Sequence, residues 1–299
     1  MGDHFVDRLL AAIDDKGSPV CVGLDPVYER LPGEYRRGNA PEDEPLRAVE
    51  DFCDEVIRIV SPVVPAVKLQ SAYFERYGAD GVQAYFDMAH AARDAGLIVI
   101  GDVKRNDIGP TAGAYAAAHL AGPDAPDAVT VNGYFGADGI APFVEVARRE
   151  GKGLFVLVRT SNPSAGTVQD FAGADGRKLY EHVAALVAAI GDGEGLIGRG
   201  GYSCVGAVVG ATYPEEARRL REIMPHQVFL VPGYGAQGAT AADCAAAFKG
   251  DGSGAIVNAS RSVLYAFADR KYAHLDWRKA VEQAARDFAS DIAAAVRGR

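Results

Sequence analysis

The chain has 299 residues, 48% of them hydrophobic and 24% charged, with a formal net charge of −9. This is ordinary globular composition, ample for a large core, and an α/β barrel of this length is commonly one domain. The acidic balance argues against nonspecific nucleic-acid binding, which needs a basic face, yet leaves room for an anionic ligand in a local cationic pocket.

The N-terminal MGDHFVDRLLAAIDDKG interleaves charges with apolar residues and lacks the continuous apolar core of a secretory signal. A first apolar run, PVCVGLD (19–25), is followed by a long Pro- and charge-rich loop at 26–43 and an amphipathic stretch at 44–60. Next come VPAVKLQ (64–70), a second amphipathic stretch (78–96), and LIVIGDVK (97–104), after which a helix signal follows at once. AVTVNG (128–133), a helix pattern at 136–151 and GLFVLVRT (153–160) lead into a second insertion at 162–179. The remainder alternates SCVGAVVG (203–210), a helix over 214–224, VFLVPG (228–233), a helix over 239–250, GAIVNAS (254–260) and one closing helix over 276–299. Gly96, Gly151 and Gly250 stand where C-terminal helix glycines are expected.

Runs nearly continuous in Val, Ile, Leu and Ala mark parallel strands buried on both faces. Eight of them alternating with helices predict a single (β/α)8 TIM-type barrel domain over 1–299, with insertions at 26–43 and 162–179. A doubly wound open sheet is the alternative, but no G-x-G-x-x-G follows the first strand. No stretch approaches the roughly 20 apolar residues that span a bilayer, so no membrane association is expected. Cys21, Cys53, Cys204 and Cys244 form no C-x-x-C pair and the six His residues show no ligand spacing. They read as reduced core thiols without a metal site, which fits a cytoplasmic setting.

Chemistry in such barrels collects at the C-terminal ends of the strands. There the first strand ends in Asp25, the second carries Lys68, and the third ends in Asp102 and Lys104, two residues apart and so on one strand face. A single Asp in such a place is usually a turn former, and a single Lys is usually solvated. Two carboxylates and two ammoniums at the ends of three successive strands are different, because buried unpaired charge costs several kcal/mol and they must pair with one another or with ligand. The fifth strand ends in Thr160 and Ser161, the seventh in PGYGAQG (232–238), and the eighth in Ser260 and Arg261. Three glycines in six residues free backbone N–H groups to approach an anion, and Arg261 adds a bidentate clamp, at the strands where these barrels commonly hold phosphate.

These residues together resemble the orotidine 5′-monophosphate decarboxylase family. The resemblance is carried by Asp25 in GLDP, Lys68 in AVKLQ, DVKRNDIGPTA (102–112), PGYGAQG and the pair Ser260–Arg261, and the long insertions resemble its longer subgroup. It implies cofactor-free and metal-free decarboxylation of orotidine 5′-monophosphate to UMP, the last step of de novo UMP biosynthesis. Lys104 is then the general acid, Asp102 faces the departing carboxylate, and Asp25 and Lys68 bind ribose and hold the network. The resemblance also implies a homodimer with shared sites, in which Asp107 completes an Asp-Lys-Asp network in the neighbour while Ile108 and Thr111 line its nucleotide pocket. Ser161 would contact the pyrimidine, Pro232, Gly233 and Gln237 the nucleotide, and Arg261 the phosphate. Tyr234 would cover the phosphate, and 233–238 and 162–179 are lid candidates. Two other readings use the same residues: a Mg2+-dependent sugar-phosphate decarboxylase or aldolase on the same barrel, and a catalytically silent nucleotide-binding barrel.

Overall fold

A computed structural model describes residues 4–36, 45–235 and 238–298. Eight parallel strands close into a barrel in chain order: β1 (Val20–Leu24), β2 (Ala66–Gln70), β3 (Ile98–Arg105), β4 (Ala128–Asn132), β5 (Gly153–Arg159), β6 (Ser203–Val209), β7 (Gln227–Pro232) and β8 (Ala255–Ala259). β8 returns to β1, with Val20 opposite Val257, so the sheet has no edge and the open-sheet alternative is excluded. The strands read as continuous apolar runs because both of their faces are covered: β1, β6 and β8 are buried at every position.

The helices are α1 (Phe5–Lys16), α2 (Pro45–Val60), α3 (Ala72–Glu75), α4 (Gly78–Asp94), α5 (Gly109–Leu120), α6 (Ala137–Glu150), α7 (Ala165–Gln169), α8 (Leu179–Gly191), α9 (Pro214–Ile223), α10 (Ala241–Ala245), α11 (Arg261–Leu264) and α12 (Trp277–Arg297). In α2 the buried residues are Val49, Phe52, Cys53, Val56, Ile57 and Val60, a single stripe at three- and four-residue spacing. α12 starts where the Asp276 carboxylate accepts from the amides of Arg278 and Lys279.

The elements without a sequence-based assignment above include α8 and α1. α8 follows the second insertion directly. α1 lies against the strands' N-terminal ends, where Phe5 packs edge-on against Phe155 with ring centroids 6.1 Å apart. Arg8 donates to Asp127 at 2.6 Å, and Asp127 in turn accepts from the Val99 amide at 2.9 Å. Gly153 makes this packing possible, since a Cβ there would stand 2.1 Å from the Phe5 ring.

The helix expected over 239–250 is shorter. Thr240 and Asp243 form a capping box that starts α10, but Ala247 and Phe248 donate to carbonyls three residues back, and the chain turns at Lys249. Gly250 therefore caps no helix, whereas Gly151 ends α6 in the left-handed conformation. In the first insertion, Tyr28–Arg30 and Gly33–Arg36 form 3-10 turns and residues 37–43 lie outside the described residues. The second insertion holds α7 and a bridge between Ala172 and Lys178.

Candidate active site

The charged wall of the barrel mouth is built on β1 to β4. Lys68 faces inward from β2, opposite Gly23 on β1 and Ile100 on β3, and Gln70 sits opposite Asp102. The Asp102 carboxylate accepts four hydrogen bonds. Its Oδ2 takes Lys68 Nζ and Gln70 Nε2, both at 2.8 Å, while its Oδ1 takes Lys104 Nζ at 2.5 Å and Thr130 Oγ1 at 2.9 Å. Burial alone would raise this carboxyl, but the Lys68 and Lys104 ammoniums hold it well below the usual carboxylate range. Burial would likewise lower Lys68, and Asp102 with Asp25 keeps it above the usual ammonium value. Asp25 stands 3.6 Å from Lys68 through an Oδ1 that is buried without a hydrogen-bond partner. The Asp25 side chain lines a cavity of ≈ 450 Å3.

Alternation along a regular strand does not by itself place Lys104. Gly101 of β3 pairs with Val129 of β4, but the next pair is Arg105 with Val131, so four steps on β3 match two on β4. In this bulge Lys104 has φ +47°, the only left-handed non-glycine backbone among the described residues. Such a conformation costs about 1–3 kcal/mol and is held where surrounding structure over-determines it. Here the Thr130 hydroxyl holds it, accepting from the Lys104 amide at 3.0 Å while donating to Asp102. The Lys104 side chain is 46% exposed, its ammonium anchored on Asp102 at the cavity surface. Arg105 turns away, donating to Glu75 at 2.5 Å and to the Val103 carbonyl at 2.8 Å.

The opposite wall is apolar, formed by Leu157 of β5, Val208 of β6 and Leu230 of β7. Ser161, Pro232, Gly233 and Arg261 line the same cavity. Gly233, Gly235 and Gly238 adopt φ of 120°, 68° and 88°, so the turn after β7 is one that only glycines follow without strain. Gln237 lies outside the described residues. The hydroxyl of Tyr234 donates to Asp291 at 2.8 Å and its ring lies 4.8 Å from that of Phe288, which docks it on α12. Arg159, fully buried at the end of β5, bonds Glu216 of α9 at 2.6 Å and pairs with Asp170 at 3.2 Å. Gln169 closes on both the amide and the hydroxyl of Thr160. The start of the second insertion is thereby clasped to the strand that carries Ser161.

Asp107, Ile108 and Thr111 do not join this cavity. Asp107 accepts from the Ile108 amide at 2.8 Å, Ile108 is 55% exposed, and Thr111 faces outward on α5. Polar residues of the site that the sequence pattern did not single out include Gln70, Thr130 and Asn258. Each was reachable by period-two reasoning, since Gln70 follows Lys68 by two, Asn258 precedes Ser260 by two, and Thr130 is the polar residue at the centre of AVTVN, flanked on both sides by Val. Among the described residues no group of three or more His, Cys, Asp or Glu could hold a metal ion.

The profile of the orotidine 5′-phosphate decarboxylase / HUMPS family matches residues 18–274. The orotidine 5′-phosphate decarboxylase of Rhodopirellula baltica is 45% identical over 292 residues, covering 94% of this chain and 96% of that protein. The enzyme of the same name from Caldicellulosiruptor bescii is 38% identical, covering 98% of this chain and 99% of its own length. The structure of Leishmania donovani OMP decarboxylase superposes with a TM-score of 0.75 at 30% identity, covering 98% of this chain and 99% of that one. With a closed barrel, a charge lattice on its first three strands and a family profile spanning most of its length, the chain belongs to the orotidine 5′-phosphate decarboxylase / HUMPS family.

Proposed function

We propose that the chain decarboxylates orotidine 5′-monophosphate to UMP and CO2. The observation that carries this reading is the saturated Asp102 carboxylate holding the Lys104 ammonium at the surface of a cavity that is charged on one side and apolar on the other. The C6–carboxylate bond breaks, its electron pair stays on C6, and the Lys104 ammonium stabilises that charge and then donates its proton to C6. Asp102 organises Lys104 and faces the leaving carboxylate. The pyrimidine ring lies against Leu157, Val208 and Leu230 with Ser161 at its edge. Asp25 and Lys68 take the ribose, the Asp25 carboxylate at the cavity wall being an acceptor for a sugar hydroxyl. The phosphate sits between the Gly233 turn and Arg261, and remote binding there helps to assemble the charged site.

The working unit of this reading is a homodimer in the cytoplasm. Asp107, Ile108 and Thr111 complete the partner's site, a role supported by their exclusion from their own cavity and by the exposed apolar residues near them: Ile108, Tyr115, Tyr134 and Phe135. The four cysteines are buried and unpaired, which suits a reducing compartment. No helix among the described residues is long and apolar enough to cross a membrane. The Mg2+-dependent sugar-phosphate reading is disfavoured because all four acceptor positions of Asp102 are engaged by protein donors. A spectrophotometric decarboxylation assay on orotidine 5′-monophosphate decides between them: turnover should survive EDTA, and strict dependence on added Mg2+ would overturn the reading. Binding of UMP without turnover would instead favour a silent barrel.

A further inference from the structure

Asp25 lines the cavity and its buried Oδ1 lies 3.6 Å from Lys68 Nζ, yet no side-chain hydrogen bond fixes that oxygen. Its aim therefore depends on its backbone as well as on that ion pair, and the backbone is held by a residue that follows β8. Tyr265, 4% exposed, directly follows α11, whose first residue is Arg261. Its phenol donates to the Asp25 carbonyl at 3.0 Å and accepts from the Val27 amide at 2.7 Å. The two groups flank Pro26, just past the last paired residue of β1, where no strand neighbour is left to satisfy them. The Tyr265 amide donates to the Arg261 carbonyl at 3.2 Å. The ring is fixed in turn, covered by the Arg30 guanidinium at 3.9 Å and edged by Phe267 at 6.3 Å. Burial pushes the phenol up to about 12, so it remains a protonated donor at working pH.

We propose that Tyr265 is a positioning residue that ties the anion-binding end of the cavity at Arg261 to the aim of the Asp25 carboxylate, so that the two ends of the substrate are gripped as one unit. One hydroxyl braces both sides of the Asp25–Val27 turn, while the same residue's main chain is bonded to Arg261. The inference rests on the decarboxylase reading in taking Arg261 and Asp25 as contacts to a nucleotide's phosphate and sugar.

The test is UMP titration by calorimetry into wild type, Tyr265→Phe, Asp25→Ala and the double variant. Tyr265→Phe keeps the ring and its packing and loses only the hydroxyl. It should weaken UMP binding at least 10-fold in the wild-type background but less than 2-fold beside Asp25→Ala, where nothing remains to be aimed. Equal factors in the two backgrounds would overturn the proposal, since a merely structural role is additive. If wild type binds no UMP, the decarboxylase reading itself falls. Hydrogen exchange on wild type with inorganic phosphate keeps the coupling testable even if Tyr265→Phe does not fold. Exchange of residues 25–30 should slow at least 3-fold with phosphate, and unchanged exchange would overturn the coupling.

Discussion

Replacing Lys68 by Met tests the charge lattice directly. The ammonium lies 2.8 Å from Asp102 and 3.6 Å from Asp25, and its side chain is 7% exposed. At an effective dielectric of about 20 those separations correspond to gross attractions of about 6 and 5 kcal/mol, most of which offsets the desolvation of the three charges. Removing one member of such a buried group costs about 3–5 kcal/mol; the lower end applies here because Asp102 keeps Lys104, Gln70 and Thr130. At roughly 2–4 °C per kcal/mol for a chain of this size, the melting temperature should fall by about 6–12 °C. The sign of the pH dependence follows from both groups. Asp102 is depressed below its ordinary 3.8, so its stabilisation is complete above that value and lost as pH falls toward the folded one. Lys68 is raised above its ordinary 10.5, so its stabilisation is complete below that value. The gap between wild type and Lys68→Met should be full between about pH 5 and 9 and shrink below about pH 4. Chemical denaturation across pH 3–8, followed by circular dichroism, measures it. A gap under about 1 kcal/mol at pH 7, or one that does not narrow in acid, would refute the lattice as the source of order in this wall.

Lys104→Ala should abolish decarboxylation while leaving a folded barrel. Lys104→Gly should be equally inactive but about 1 kcal/mol more stable than the Ala variant, because φ +47° suits glycine; equal denaturation midpoints would contradict the strain. Mixing inactive Lys104→Ala and Asp107→Ala chains should restore activity through heterodimers, and heterodimers that form yet stay inactive would remove Asp107 from the partner's site. Arg261→Ala should raise KM for the nucleotide roughly 10- to 100-fold, the worth of about 1.5–3 kcal/mol for a charge-assisted contact, and steady-state kinetics showing an unchanged KM would place the phosphate elsewhere.

Legibility in the sequence followed periodicity. Asp25, Lys68, Asp102 and Lys104 stand out because polar residues at the ends of apolar runs are costly, and parallel β/α alternation sends those ends to one mouth, where all four line one cavity. Gln70 and Thr130 were missed because an amide or a hydroxyl at a strand end carries no comparable cost and draws no notice alone. The helix over 239–250 was overread because Cys244–Phe248 pack into the core, where tertiary burial favours tight turns over continued α-helix.

The sequence by itself determined the eight strands, their parallel order and the residues that carry charge into the mouth, since each of these depends on local pattern and on the cost of burying ions. Only the tertiary structure decided the geometry between them. The bulge that turns Lys104 to φ +47° depends on the register of β3 against β4, with Thr130 filling the gap. α1 becomes an end cover only because Gly153 leaves room for Phe5, and Tyr265 meets Asp25 only because the last strand closes onto the first. These last two contacts join residues more than 100 positions apart, and no local window along the chain contains both partners.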